Sequence, residues 1–194
     1  LIMTSTVYRQ NSLLNSGLQQ NDPDNVLLSR FPFRRLEAES IRDALLAVSG
    51  RLDPTPYGPP DIVNISPEGE VTTQVTENGM RRSIYVERAH RHPVTLLETF
   101  DSPKMSPNCV LRAESTVATQ ALQMWNSQLL RGSAEDLANL IVRSAGDNPA
   151  ARIEQVYLRA FGRWPTLEES RRDQQVLDTM AHYWTEQPGG EPME

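Results

Sequence analysis

The chain has 194 residues, 38% of them hydrophobic and 23% charged, which is enough for one domain with its own core and unlike the composition of a disordered chain. Its net charge of -6 argues against sequence-independent nucleic-acid binding, which needs a concentrated basic face to neutralise phosphates. The stretch contains no apolar run long enough to span a membrane, and its one cysteine, Cys109, excludes an internal disulfide framework and any Cys-based zinc or haem motif within it.

The sequence starts at Leu1 rather than at a methionine, and Ile2, Met3 and Val7 read as the end of a helix. The chain is therefore expected to be a piece of a longer protein, and LIMTSTVYRQ lacks the charged lead and apolar core of a signal peptide. Asn11 to Asn25 reads as a polar loop ending in the turn Asp22-Pro23-Asp24-Asn25, with Asp24 or Asn25 as cap for a short turn through Val26, Leu27 and Leu28.

A central helix is expected from roughly Arg34 to Val48. Ala38, Ile41, Ala44, Leu45 and Val48 form one arc, read as the face that meets the core. Arg35, Glu39 and Arg42 form a second stripe, close enough to pair along the helix. Leu46 continues that charged stripe, and from Ala44 to Val48 the helix is apolar all round, so both faces are expected to be covered. Gly50 supplies a left-handed residue to end it.

The four prolines of Asp53 to Val63 rule out helix and favour an extended crossing. Val71 to Val75 and Arg82 to Glu87 alternate like strands, with Asn78-Gly79 between them, which predicts a β-hairpin over about 70–88. His90 to Asn108 reads as a loop packed across the surface through Val94, Leu96, Leu97 and Phe100. From Glu114 the chain is expected to be helical to its end. Val117, Ala118, Ala121, Leu122, Met124, Trp125 and Leu129 give one broad apolar arc, and Ser133 is read as the start of the next helix, with Leu137, Leu140 and Ile141 buried. Asn148-Pro149 is a cap and first-turn pair for a helix using Ile153, Val156, Tyr157, Ala160 and Phe161. Thr166 and Glu169 form a capping box before a last stripe of Leu177, Met180, Ala181 and Trp184, and residues 187–194 are expected to be a flexible tail. The fold class this predicts is mainly α: one helical, bundle-like domain over 1–186 with an inserted hairpin and long Pro-rich loops.

Of the 19 basic residues only Lys104 is lysine, an excess of arginine that suits bidentate carboxylate pairing but also follows from a GC-rich coding bias. His90 and His92, two apart, are a weak metal pair with no third ligand at a recognisable spacing, and solvated loop histidines are the stronger reading. Arg81, Arg82, Arg88 and Arg91 make a basic edge at the hairpin, read as a solvated strand edge in preference to an anion site. Glu37, Glu39 and Asp43 resemble the carboxylate pair of a glycosidase, but Arg35 and Arg42 beside Glu39 would lower its pKa, which favours a structural ion network. Trp125, Trp164 and Trp184 are read as core rather than as sugar-stacking platforms. No Gly-rich phosphate loop, nucleophile elbow or His-Glu metal helix is present.

Several separated stretches, LIMTSTVYRQNS, the DPDN turn, RRLEAESIRDALLAVSGRLD, RRSIYVERAHR, Phe100 to Pro103, CVLRAESTVATQALQMWN and FGRWPTLEE, together resemble the C-terminal domain of unknown function (1553 type) of large secreted planctomycete proteins. That resemblance implies an extracytoplasmic setting, in the periplasm or at the cell surface, and a parent chain with an N-terminal cytochrome-c-like domain, so that haem would sit elsewhere in the parent and no cofactor in this piece. It implies no catalytic residue. The residues in its boxes include Glu37, and from them Arg35, Glu39, Arg42, Asp43, Arg82, Asp101, Arg112, Gln120 and Asn126 are expected to contribute to one buried polar cluster. The function expected is a non-catalytic scaffold or interaction module for the other domains of the parent. The alternative is part of an enzyme or binding protein acting on complex, sulfated polysaccharide.

Overall fold

The computed structural model describes residues 1–13, 16–88, 91–104, 112 and 114–186. The expected tail over 187–194, His90 and Cys109 lie outside these residues. The chain divides into two compact units, Leu1–Leu36 and Glu37–Glu194.

The first unit opens with a 3-10 turn, Ile2–Thr4, and contains one short helix, α1 (Ser16–Asn21), inside the stretch expected to be loop. Side-chain hydrogen bonds concentrate in the loop from Asp22 to Arg30. The buried Asp22 carboxylate accepts hydrogen bonds from the Val26 and Leu27 amides and the Ser29 hydroxyl. Asp22, not Asp24 or Asn25, therefore caps this turn, and Asn25 itself takes a left-handed conformation at φ 55°. The Asn25 side chain donates to the Arg30 carbonyl and accepts from its amide, locking the loop shut.

The second unit is mainly helical. Its central helix α2 (Ala38–Ser49) starts later than Arg34. Two guanidinium groups in a first turn would face the positive end of the helix dipole, whereas the observed start places Glu39 there. Gly50 at φ 75° closes the helix, with Gly50 and Arg51 amides donating to the Ala47 and Leu46 carbonyls. The face of α2 that enters the core is Ala38, Arg42, Leu46 and Ser49, not the predicted arc, since Ala44 is exposed and Ile41, Leu45 and Val48 are half-buried. Leu46 is covered as expected, but Ala47 is exposed, so the helix is not covered all round.

Two small sheets follow. β1 (Leu52–Asp53) pairs in parallel with β4 (Met80–Arg81), and β2 (Val63–Ile65) pairs antiparallel with β3 (Val71–Thr73) as a hairpin. The inserted hairpin is thus one strand earlier than predicted. The Asn78-Gly79 turn closes only a Thr76–Gly79 bridge, and the expected second arm becomes a 3-10 turn over Ser83–Tyr85. Met80 and Arg81, both buried, pair with β1 instead, and the chain turns directly after them. Gly79, at φ 109°, lies so close to the preceding crossing that a Cβ there would stand 2.2 Å from the Arg51 carbonyl oxygen.

α3 (Thr95–Thr99) sits in the expected surface loop and buries Leu96 and Leu97, so that segment enters the core rather than lying over it. The main core joins Ala38, Leu46, Met80, Val86, Val94, Leu96, Leu97 and Leu129. α4 (Ala118–Asn126) and α5 (Gln128–Ala145) are separated at Ser127, whose extended backbone breaks the run. Ser133 therefore lies inside α5, buried and with no hydrogen-bond partner for its hydroxyl among the described residues. The apolar arc expected on α4 is exposed at Leu122 and Trp125, and Trp164 and Trp184 are also exposed, so none of the three tryptophans is core. α5 packs on α2 and on α6 (Pro149–Phe161), and α6 on α7 (Leu167–Glu186), giving a helical hairpin at the end. Asn148 caps α6 by accepting from the Ala150 and Ala151 amides, and Thr166 and Glu169 exchange the two bonds of a capping box. Among the described residues no helix is long and apolar enough to cross a membrane.

Candidate functional site

Because α2 turns Arg42 into the core, a guanidinium that is 0% exposed must find its partners from the protein. Nη1 donates to the Arg81 carbonyl at 3.0 Å and to Ser83 Oγ at 3.2 Å, and Nη2 to Thr73 Oγ1 at 2.7 Å. One helix residue thereby ties down β3, β4 and the 3-10 turn. Asp43, next on α2, accepts from the Ser83 amide at 2.8 Å and its hydroxyl at 2.7 Å, and stands 3.6 Å from Arg42 Nη1. Burial pulls the Arg42 pKa down, while the Asp43 and Asp61 carboxylates oppose the shift.

A second buried arginine adjoins the first. Arg81, 8% exposed, donates to Asp61 Oδ1 through Nε at 2.8 Å and through Nη2, and its two Nη groups also reach the Tyr57 and Pro59 carbonyls. Prolines remove amide donors from this crossing, and the guanidinium of Arg81 satisfies carbonyls that no strand partner meets. Its hydrogen bond to Asp61 raises the Arg81 pKa. Asp53 is buried beside it, held below the ordinary carboxylate range by hydrogen bonds from Thr55. Asp61 Oδ2 is buried without a partner among the described residues.

At the outer end of the same helix, Glu39 accepts from Arg88 at 2.8 Å and from both Nη groups of Arg112 at 2.7 and 3.3 Å. Arg88 also donates to the Pro103 carbonyl and Ser102 Oγ, and Arg112 lies 3.4 Å from Glu37. Burial works to raise the Glu39 pKa, but the Arg112 hydrogen bond and the two guanidinium charges outweigh it and hold the group below its usual range. The guanidinium groups that lead this effect are Arg112 and Arg88. A further group surrounds Asp101, which sits at φ 63° and accepts from the Ser115 amide and hydroxyl. Gln120, 4% exposed, donates to the Thr99 carbonyl and Ser115 Oγ and accepts from the Val117 amide.

Of the expected cluster, Arg42 and Asp43 meet in one network, Glu39 and Arg112 in a second, and Asp101 and Gln120 in a third. Arg35 precedes α2 and is half-buried, and Arg82 and Asn126 are exposed. The basic edge is divided: Arg81 is buried and departs from the reading of a solvated edge, whereas Arg88 is exposed and pairs with Glu39. His90 lies outside the described residues and His92 is exposed; among the described residues no three His, Cys, Asp or Glu side chains gather as a metal site. Sequence reasoning missed Thr73, Ser83, Asp61 and Ser115. The one signal available was DIV directly after the proline run, which places Asp61 where carbonyls lack partners.

Chemically, this arrangement fixes segments to one another. Its carboxylates accept from arginines, hydroxyls or amides, and its arginines donate to carbonyls, hydroxyls and carboxylates of other segments. A family model described as PSD1, Protein of unknown function (DUF1553), matches residues 1–177. No curated protein and no solved structure matches the chain.

Proposed function

The chain belongs to the DUF1553 family, and from that premise we propose that it is a non-catalytic scaffold module that docks other domains of a longer exported bacterial protein, including a cytochrome-c-like one. The observation that carries this reading is α7. This helix of 20 residues buries none of them, and Leu177, Met180 and Trp184 recur on one stripe that is exposed. Leu122 and Trp125 repeat the pattern on α4. Single exposed apolar side chains need no explanation, but stripes at helical spacing on two helices match the needs of a covering partner.

The charged groups favour the same reading. Glu39, the carboxylate best placed for acid catalysis by sequence, is kept ionised by Arg112 and Arg88, which opposes a role as proton donor to a glycosidic oxygen. That weakens the alternative of an enzyme acting on complex polysaccharide. The test is co-purification of this chain with the remaining domains of its parent, supplied as a separate polypeptide. Association that is lost when Leu177, Met180 and Trp184 are together replaced by Ser supports docking. Failure of the unsubstituted chain to associate overturns it.

A further inference from the structure

The N-terminal unit contains a pocket of about 460 Å³, independent of the docking stripes. That volume lies within the usual range for small-molecule sites and exceeds what a bare inorganic anion fills. One wall is the segment of Arg9 and Asn11, the other is Ser29 and Arg30, and the Phe31 amide donates to the Asn11 carbonyl at 2.9 Å to hold the walls together. Thr4 and Thr6 line it as well.

The hydrogen-bonding state of these groups defines what fits. The Arg9 guanidinium makes no hydrogen bond or ion pair among the described residues, so its donor fork is uncommitted. Arg30 is held in place by the Asp22 and Pro23 carbonyls, which fix the group and leave its charge unneutralised. The Asp22 carboxylate, whose backbone carbonyl holds Arg30, is occupied by Val26, Leu27 and Ser29. No acidic residue lines the pocket. The Ser29 hydroxyl donates its hydrogen bond to Asp22, and the Thr4 hydroxyl its own to the Leu1 carbonyl, so both present oxygen lone pairs. Gln10, also in the lining, buries its side-chain oxygen without a donor among the described residues. A pair of guanidinium groups calls for an oxyanion, and hydroxyl oxygens whose protons are spent call for ligand hydroxyls.

We infer that this pocket binds a small hydroxylated organic anion, with Arg9 as the principal contact to the oxyanion and Ser29 and Thr4 accepting from the ligand's hydroxyl groups. Titration calorimetry on the whole chain tests it with gluconate, with sorbitol, which keeps the hydroxylated framework but lacks the carboxylate, and with inorganic sulfate. Gluconate is expected to bind at least about tenfold more tightly than either, and Arg9→Gln to weaken gluconate binding by about tenfold or more, as loss of one charge-assisted contact requires. The Arg9 guanidinium makes no bond among the described residues, and the backbone bond from its amide to the Ser5 carbonyl is kept in the variant, so its unfolding without ligand is expected to match that of the parent chain. Equal affinity for sorbitol or for sulfate, unchanged gluconate binding in Arg9→Gln, or no gluconate binding at about 10 mM, overturns the assignment.

Discussion

The seam beneath α2 and the hairpin of α6 and α7 are both laced by arginine and carboxylate groups, yet the two use them differently. At the hairpin, Arg163 forks onto Glu169 at 2.7 and 2.8 Å, and Arg172 and the buried Tyr157 both reach Asp173, with the charged groups at or near the surface. Such pairs compete with water and are worth little individually. At the seam, Arg42 has no water to return to, and its bonds go chiefly to a carbonyl and two hydroxyls rather than to a carboxylate. A charge so placed adds little net energy compared with a well-packed apolar side chain, but it penalises any arrangement of α2, β3 and β4 that leaves it unmet. The hairpin could tolerate small shifts between its helices; the seam fixes one geometry.

The largest expected effect tests that contrast at its centre. Arg42→Ala should lower unfolding stability by about 3–5 kcal/mol in urea titration, with Arg42→Met, which keeps the volume without the bonds, losing less. A loss from Arg42→Ala no larger than that from Arg163→Ala would erase the distinction. Gly79→Ala should cost about 2–4 kcal/mol, because its Cβ would collide with the Arg51 carbonyl in a left-handed backbone and part β1 from β4. Ser83→Ala removes the hydroxyl shared by Arg42 and Asp43, and about 1–3 kcal/mol is expected from the same measurement. On the hairpin, Thr166→Ala should cost about 1 kcal/mol, the usual value of a helix cap.

Acid sharpens the contrast from the other side. Arg163, aided by the Thr166 amide, depresses the Glu169 pKa from 4.5 to about 2. Its folded value lies below the unfolded one, so its contribution is present above about pH 4.5 and is lost as pH falls toward 2. Glu169→Gln should therefore flatten the acid limb of the stability profile while leaving the profile near neutrality parallel to that of the parent. An unchanged acid limb would mean that Glu169 is not paired.

How legible each region is in the sequence follows the same division. The hairpin could be read because its determinants are local: Asn148 precedes Pro149, Thr166 stands three residues before Glu169, and each cap forms with neighbours in the chain. The mainly α character was readable for the same reason. The seam was not, because apolar periodicity treats Arg42 as outward-facing, and nothing near it announces Thr73 or Ser83 as partners. The alignment of Leu46 with Arg42 was the one hint that the charged stripe is covered. Ser133 misled by resembling a cap, since the real break at Ser127 is set by a distant contact, its hydroxyl donating to Glu70 at 2.7 Å. Exposure of Trp125, Trp164 and Trp184 was hidden because a stripe awaiting a partner and a stripe already buried look alike in sequence.

Arg42 also bears on the order of folding. Its partners lie 31, 39 and 41 residues along the chain, so α2 can form early while the guanidinium remains hydrated, and the bonds close only after three loops have been drawn in. Interactions made that late act on the escape from the native state rather than on its formation. The arginine at the middle of α2 is then a latch on the rate of unfolding, with refolding of an Arg42→Met chain keeping the parent's pace.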